Sequence, residues 1–406
     1  MTCRSCGGAD LPTVLDLGRT PLANSLLLIE DLRSSEATYP LEVVFCSACS
    51  LMQIKDALLP ADLFREYLYF SSFSETMLQH ARQLSERIVS ERGLKTGDHV
   101  LEIASNDGYL LQFYQDAGVT VTGVEPAENV ARVAVATHGI PTVREFFNIE
   151  LAKRLRVLRG PVDVIHAHNV LAHVPELNEF VAGIHWLLKP DGVAVIEVPY
   201  VRDLIDKNEF DTIYHEHVFY FSLTALLPLF DRHALQIHDV ERVAIHGGSL
   251  RLFVTHAAAG PARPSVAALL DAEKVSGLDR FDYYKHFASR VTGVKTALRA
   301  LLLDLKAEGK RLAAYGASAK GSTLLNYCEI DVETLDFVVD RNPHKQGRLM
   351  PGARLPIVSP DALLTEQPDY VLLLTWNFAD EILAQQARFR DVGGRFITPI
   401  PIPRVL

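Results

Sequence analysis

With 406 residues, 48% hydrophobic and 22% charged, the chain is long for one core and ordinary in composition for a globular protein, so two or three domains are expected. Its net charge of −10, with a pI near 5.8, excludes an extended basic face for nucleic acid but leaves room for a local basic pocket around one phosphorylated small molecule. No uncharged apolar stretch is long enough to span a bilayer, no targeting segment follows Met1-Thr2-Cys3-Arg4, and the five cysteines read as reduced, so a cytoplasmic protein without membrane contact is expected.

In chain order, residues 1–75 form the first predicted domain. Cys3-x-x-Cys6 and Cys46-x-x-Cys49 supply four thiolates in two hairpins, the donor set of a tetrahedral structural zinc that leaves no open position for water. The long gap between the pairs requires a loop that extends away from the metal. Two unrelated reduced pairs or a redox dithiol are the weaker readings.

The second predicted domain, 76–255, opens with a helix over 76–92 and then alternates strands and helices in the α/β manner. His99-Val100-Leu101-Glu102-Ile103-Ala104 is a short apolar strand, followed by Ser105-Asn106-Asp107-Gly108 and a helix from about Tyr109. Further strands are expected at 119–126, 162–167 and 192–198. An acid at the end of a first strand, a small-residue turn and a helix place backbone amides against a ligand, and Glu125 at the next strand end can accept both hydroxyls of a ribose. That pairing serves NAD and S-adenosylmethionine alike. The turn lacks G-x-G-x-x-G and carries Asp107 where a diphosphate would be repelled, which favours a cofactor with a positive sulfonium end.

The third predicted domain, 256–406, is helix-rich to about Lys310. A strand at 311–315 then enters Gly316-Ala317-Ser318-Ala319-Lys320-Gly321, with further strands at 335–339 and 370–374, the pattern of a second, smaller doubly wound unit. Asp340, about twenty residues beyond the turn, completes a worn dinucleotide fingerprint, so an NAD domain is the rival reading here. Lys320 is a point charge suited to phosphate, and Asn342, Lys345 and Arg348 add polar and cationic groups at the next strand end.

The motifs Glu102 to Gly108, Glu125-Pro126 and Asn169-Val170-Leu171-Ala172-His173-Val174 resemble those of the sugar C-methyltransferase family, which includes S-adenosylmethionine-dependent 3-C-methyltransferases of TDP-4-keto-deoxyhexoses in antibiotic biosynthesis. The resemblance also takes in the cysteine pairs, Tyr214-His215-Glu216-His217-Val218-Phe219-Tyr220-Phe221-Ser222, His246-Gly247-Gly248-Ser249-Leu250-Arg251 and Gly316 to Gly321, in order along nearly the whole chain. It implies an α/β architecture with an N-terminal zinc-binding domain, a central class I (Rossmann-like) methyltransferase domain and a smaller C-terminal Rossmann-like domain that helps hold the nucleotide of the substrate. S-adenosylmethionine is then the cofactor, held by Glu102, Ala104, Asn106, Asp107, Gly108, Glu125, Pro126 and Asn169. Ala104 stands where the wider class has glycine, which is tolerable if that backbone angle is negative.

Carbon methylation beside a ketone needs a base for the α-proton, a donor for the enolate oxygen and a dry pocket. Tyr214-x-Glu216-His217 offers such a set. The resemblance makes His217 the base in preference to Tyr214, puts Tyr214 and Glu216 beside it and His173 near the sugar, and has Tyr69 close the pocket. His246, Lys320, Asp340, Asn342, Lys345 and Arg348 are the expected substrate-binding residues, with Gly247-Gly248 also readable as a turn. His166, His168 and His215 are expected to be structural, a metal at His215 and His217 is disfavoured, and Cys328 reads as a buried small side chain. The expected partner is a nucleotide sugar, with no nucleic acid, in a monomer or weak homodimer. The alternatives are a nitrogen or oxygen acceptor on that sugar, an NAD-dependent nucleotide-sugar oxidoreductase, a zinc-bearing nucleic-acid methyltransferase, or a ligand sensor without catalysis.

Overall fold

Three sheets order the chain in the computed structural model, which describes residues 1–59, 63 and 70–406, the side chain of His246 excepted. Tyr69 and the His246 side chain thus lie outside the described residues. The first sheet is antiparallel, with β1 (Thr13–Thr20), β2 (Tyr39–Phe45) and β3 (Met52–Ile54) in sequence order. The second contains β4 (His99–Ile103), β5 (Thr120–Val124), β6 (Thr142–Val143), β7 (Val162–His168) and β8 (Leu188–Pro199), all parallel to one another. A short strand, β9 (Phe219–Tyr220), leaves this sheet and pairs instead with β3. β10 (Leu235–Val243) and β11 (Ser249–His256) complete the second sheet, in the order β10-β11-β8-β7-β4-β5-β6 with β11 antiparallel to both neighbours. This is the class I methyltransferase sheet.

Every residue of β4 is buried, as are six of the seven in β7, which is why these strands read as apolar runs rather than alternating ones. The helix Glu75–Arg92 covers one face. Ser74 caps it by accepting from the Met77 amide, Gly93 ends it at φ 61°, and Met77, Ala81, Leu84, Ser85 and Ile88 fall on one stripe. That stripe packs on Val100, Leu110, Tyr114, Val164 and Val195. Burial of Leu84 or Ile88 contributes about 2 kcal/mol each.

The third sheet holds β12 (Leu312–Tyr315), β13 (Val338–Val339), β14 (Ile357–Val358), β15 (Tyr370–Leu373), β16 (Arg395–Thr398) and β17 (Arg404–Val405). Its order is β14-β13-β12-β15-β16-β17, parallel except at β17. The order reverses between β12 and β15, so the crevice above those strand ends is where a ligand is expected in such a sheet.

Besides the β9–β3 pairing, a helix and a loop help to join the units. The helix Phe287–Ala307 buries Phe287, Val291, Val294, Leu298, Leu302 and Leu305 at helical spacing and packs against both β1 and the helix Ala319–Cys328. The loop demanded by the long gap between cysteine pairs runs over residues 21–38 to the C-terminal unit. There Leu27 and Leu349 exchange backbone hydrogen bonds of 3.0 and 2.9 Å, and the Glu36 carboxylate accepts from the Gly352 amide at 2.9 Å. Among the described residues no helix is long and apolar enough to cross a membrane.

Candidate active site

A cavity of about 940 Å³ opens between the three units. Ile103, Ala104, Asn106, Glu125, Pro126, His168, Asn169 and His173 line it from the ends of β4, β5 and β7, and Tyr214 and His217 from the segment before β9. Gly316, Lys320, Asp340, Asn342 and Lys345 line it from the C-terminal unit, and Asn24 from the 21–38 arm.

On the central-sheet wall the turn after β4 is strained. Ala104 (φ 54°), Asn106 (φ 50°) and, after β7, Asn169 (φ 51°) are all left-handed without being glycine. The expectation of a negative angle at Ala104 is therefore corrected: its methyl is carried in a conformation that costs an L-residue about 1 kcal/mol or more. Ala104→Gly is expected to relieve that cost and to change the unfolding free energy by no more than about 1 kcal/mol, upward if strain outweighs the added chain entropy. Ala104→Val, with its β-branch, is expected to lower it, and urea melts read both.

The Glu125 carboxylate is fixed by the amides of Asn106 (3.0 Å) and Ala127 (2.8 Å). Asn106 Oδ1 accepts from Ser71 N at 2.9 Å, and Asp107 Oδ2 accepts from Ser72 N at 3.3 Å. Glu102, Asp107 and Gly108 lie beneath the turn and do not line the cavity themselves. Burial, and then Asp107 and Glu125, push the Glu102 carboxyl well above its ordinary range, and burial pushes Glu125 up to about 7. Crowded carboxyl groups at one turn, two of them held toward the neutral form by burial, regain charge beside a positive ligand and disfavour a diphosphate. The residues therefore fit S-adenosylmethionine better than a dinucleotide.

The segment 212–218 brings Thr212, Tyr214 and His217 to the cavity wall. His217 Nδ1 lies 2.8 Å from the carbonyl of Thr212, which can only accept, so Nδ1 bears the proton and Nε2 presents a lone pair. The Tyr214 hydroxyl lies 2.8 Å from that Nε2 and donates to it. His173 stands edge-on to His217 with ring centroids 4.8 Å apart, and burial pushes it down to about 4, so it is neutral. The segment is braced from the zinc-bearing unit: His215 Nε2 meets Pro40 O at 3.2 Å, Val218 O accepts from Ile54 N at 2.9 Å, and β9 then pairs with β3. Phe219 and Phe221 are core, not cavity lining. Glu216, expected beside the base, instead turns away from the cavity and receives Asn24 Nδ2 on both oxygens, at 2.7 and 2.8 Å.

His166 and His168 belong to a buried chain: Tyr114 Oη to His166 Nε2 (2.7 Å), then His166 Nδ1 to His168 Nε2 (3.1 Å). Glu197 behind them pairs with His80 (2.9 Å) and Arg251 (2.6 Å). Against the cost of burial, His168, His80 and Arg251 hold the Glu197 carboxyl well below its usual range. Arg251 is thus a structural cation. The glycine pair before it has a packing reason as well. A Cβ on Gly248 (φ 137°) would sit 2.3 Å from Asp203 Oδ2. Gly248→Ala is expected to cost about 3 kcal/mol, read as a fall in thermal midpoint.

At the C-terminal crevice Asp340 accepts from the amides of Ala317 (2.7 Å) and Asn342 (2.8 Å), and Lys345 Nζ donates to Ala317 O at 2.7 Å. Lys320 Nζ donates to Asn377 Oδ1 at 3.0 Å and lies 4.8 Å over the Trp376 ring. Burial lowers its pKa, opposed by Asp211 and Glu209. Arg348 does not line the cavity, a correction to its expected place: it follows Lys345 across a backbone turn, and only Lys345 of the two reaches the wall. Arg341 and Asn377 line it instead.

The four N-terminal cysteines form one cluster, all sulfurs within 4.8 Å, with Cys3–Cys49 and Cys6–Cys46 at 3.6 Å. A zinc–sulfur bond of about 2.3 Å sets tetrahedral sulfurs about 3.8 Å apart, so the cluster fits zinc.

Residues 3–64 match a family described as a zinc binding domain, 75–240 one described as a methyltransferase domain, and 244–401 one described as a C-methyltransferase C-terminal domain. The C-methyltransferase NovU of Streptomyces niveus is 41% identical over 405 residues, covering 100% of this chain and 96% of NovU. A ubiquinone biosynthesis O-methyltransferase of Pseudomonas aeruginosa is 26% identical over 141 residues, 30% of this chain and 60% of that one. Among solved structures, magnesium protoporphyrin IX methyltransferase from Synechocystis with bound SAM aligns with a TM-score of 0.36 and 16% identity, over 50% of this chain and 99% of its own.

Proposed function

The chain belongs to the C-methyltransferase family, and on that premise we propose that it methylates the carbon beside the ketone of a nucleotide-linked 4-keto-deoxysugar, at C3 of a TDP sugar, through an enolate. S-adenosylmethionine, when bound, supplies an electrophilic methyl group on a sulfonium sulfur.

The observation that carries the reading is the ordered pair Tyr214–His217 on the wall of the same cavity as the cofactor turn. Because the His217 lone pair already receives the tyrosine proton, the two act as one base. The Tyr214 oxygen takes the α-proton as its own proton passes to Nε2, and the Thr212 carbonyl steadies the resulting imidazolium through Nδ1–H. The C–H electron pair becomes the enolate. The Asn169 side-chain amide on the same wall provides an N–H donor for its oxygen, and neutral His173 packs beside the base. A carbon–carbon bond then forms as the sulfur–methyl bond breaks, and His217 returns its proton to water. On the opposite wall Lys345, Arg341 and Lys320 stand beside Asp340, Glu381 and Glu209, and these three cations are the groups that would meet the diphosphate. The protein's own acidity supports a small phosphorylated ligand over a polynucleotide.

The test is turnover with carbon-13-methyl S-adenosylmethionine and a TDP-4-keto-2,6-dideoxyhexose. A labelled methyl bonded to carbon in the sugar supports the reading. A methyl on oxygen or nitrogen, or none, overturns it.

A further inference from the structure

Glu216 is the one member of the Tyr214-x-Glu216-His217 set that does not line the cavity, and its carboxylate is fully enclosed. Both oxygens are taken by the side-chain amide of Asn24, 192 positions earlier, on the arm that runs from the zinc-bearing unit to the C-terminal one. Burial pushes the Glu216 carboxyl up to about 7, opposed by the Asn24 amide. With Nδ2 at hydrogen-bond distance of both oxygens the carboxylate is held as an acceptor, which fixes Nδ2 toward Glu216 and leaves Oδ1 as the remaining polar acceptor of that side chain. Asn24 itself lines the cavity.

We propose that Asn24 is a substrate-positioning residue whose carbonyl oxygen accepts a hydrogen bond from a hydroxyl of the bound sugar, and that Glu216 acts through it by setting the direction of the amide. The zinc-bearing unit then contributes directly to substrate recognition. Its arm is pinned at both ends, by β1 and β2 on one side and by the Leu27–Leu349 and Glu36–Gly352 contacts on the other, so Asn24 is held on rigid supports. The direction matters because a flipped amide would set Oδ1 against the carboxylate, acceptor against acceptor, and leave the carboxylate buried without a donor. The inference rests on the acceptor reading of the cavity given above.

The experiment compares Asn24→Ala, Glu216→Ala, their double variant and Asn24→Asp, with zinc content and S-adenosylhomocysteine affinity as checks of folding. Either alanine change is expected to raise KM for the keto-sugar nucleotide about tenfold, with a smaller fall in kcat, the loss of one oriented hydrogen bond. The double variant is expected to be no worse than the singles, because the residues act as a unit. Asn24→Asp keeps an acceptor oxygen but sets carboxylate against carboxylate, so it is expected to be at least as impaired as Asn24→Ala. A wild-type KM in Asn24→Asp, or additive losses, overturns the proposal. If the wild-type protein does not turn over the keto sugar, the acceptor reading fails on its own. The pair is then judged by thermal melting of the same variants, where additive shifts overturn it whatever the acceptor.

Discussion

His217→Ala is expected to lower kcat by about three orders of magnitude while leaving S-adenosylhomocysteine affinity within about tenfold. The reason is the separation of duties inside one cavity. The cofactor wall is built from the turns after β4, β5 and β7, where Asp107 accepts from the amide of Ser72, Glu125 from those of Asn106 and Ala127, and the Asn106 side-chain carbonyl from that of Ser71. None of those bonds involves His217. Its own hydrogen bonds run to Thr212 and Tyr214, so its loss removes the proton sink and leaves the turn intact. Tyr214→Phe is expected to approach the same defect, because a phenylalanine ring keeps the packing against His217 at 4.0 Å between centroids but carries no proton. Steady-state kinetics and calorimetry on the two variants check this. Full activity in His217→Ala would remove the base assignment.

Loss of zinc is the second large effect. Cys46→Ser, or chelation, is expected to release the metal, lower the melting temperature and abolish turnover together. Structural zinc contributes folding free energy outright, with apparent binding of about 10 kcal/mol or more in small domains. Here the consequence reaches the chemistry, because β9 begins two residues after His217 and its partner strand is β3 of the zinc-bearing unit. The knuckle is also clamped to the central unit: Asn178 Nδ2 donates to the carbonyls of Arg4 and Ser5 at 3.1 Å, and Arg232 donates to Ser5 O at 2.9 Å. Metal analysis, thermal melting and an activity assay on one preparation decide it. A variant that keeps its zinc and its melting temperature would refute the four-cysteine site.

What could be read from the residues, and what could not, follows from the range of the forces involved. The cysteine hairpins and the strand-turn-acid pattern from Glu102 to Glu125 are local, so their chemistry shows in their spacing. The buried strands β4 and β7 show in their apolar runs for the same reason. Asn24 leaves no such trace: a single asparagine in a loop acquires its meaning only from Glu216, far along the chain. β9 is a two-residue strand whose partner belongs to another unit, too short for any periodicity to reveal. The positive φ of Ala104 is hidden because alanine does not advertise it as glycine would. Arg348 was attractive as a cation near a strand end, but charge in a sequence carries no direction, and Arg348 is not among the residues that line the cavity. His168 read as structural, and its place in the Tyr114–His166 chain agrees, although it also reaches the cavity wall.

The central claim is that a base-generated enolate, not a simple displacement, precedes methyl transfer. Incubation of the zinc-loaded protein with a TDP-4-keto-2,6-dideoxyhexose in heavy water, with no S-adenosylmethionine added, tests it most directly by mass spectrometry of the sugar. Deuterium incorporated at the carbon beside the ketone, followed by gain of one methyl at that carbon when the cofactor is supplied, is the predicted result. Methyl gain on oxygen or nitrogen with no exchange at that carbon would contradict the account.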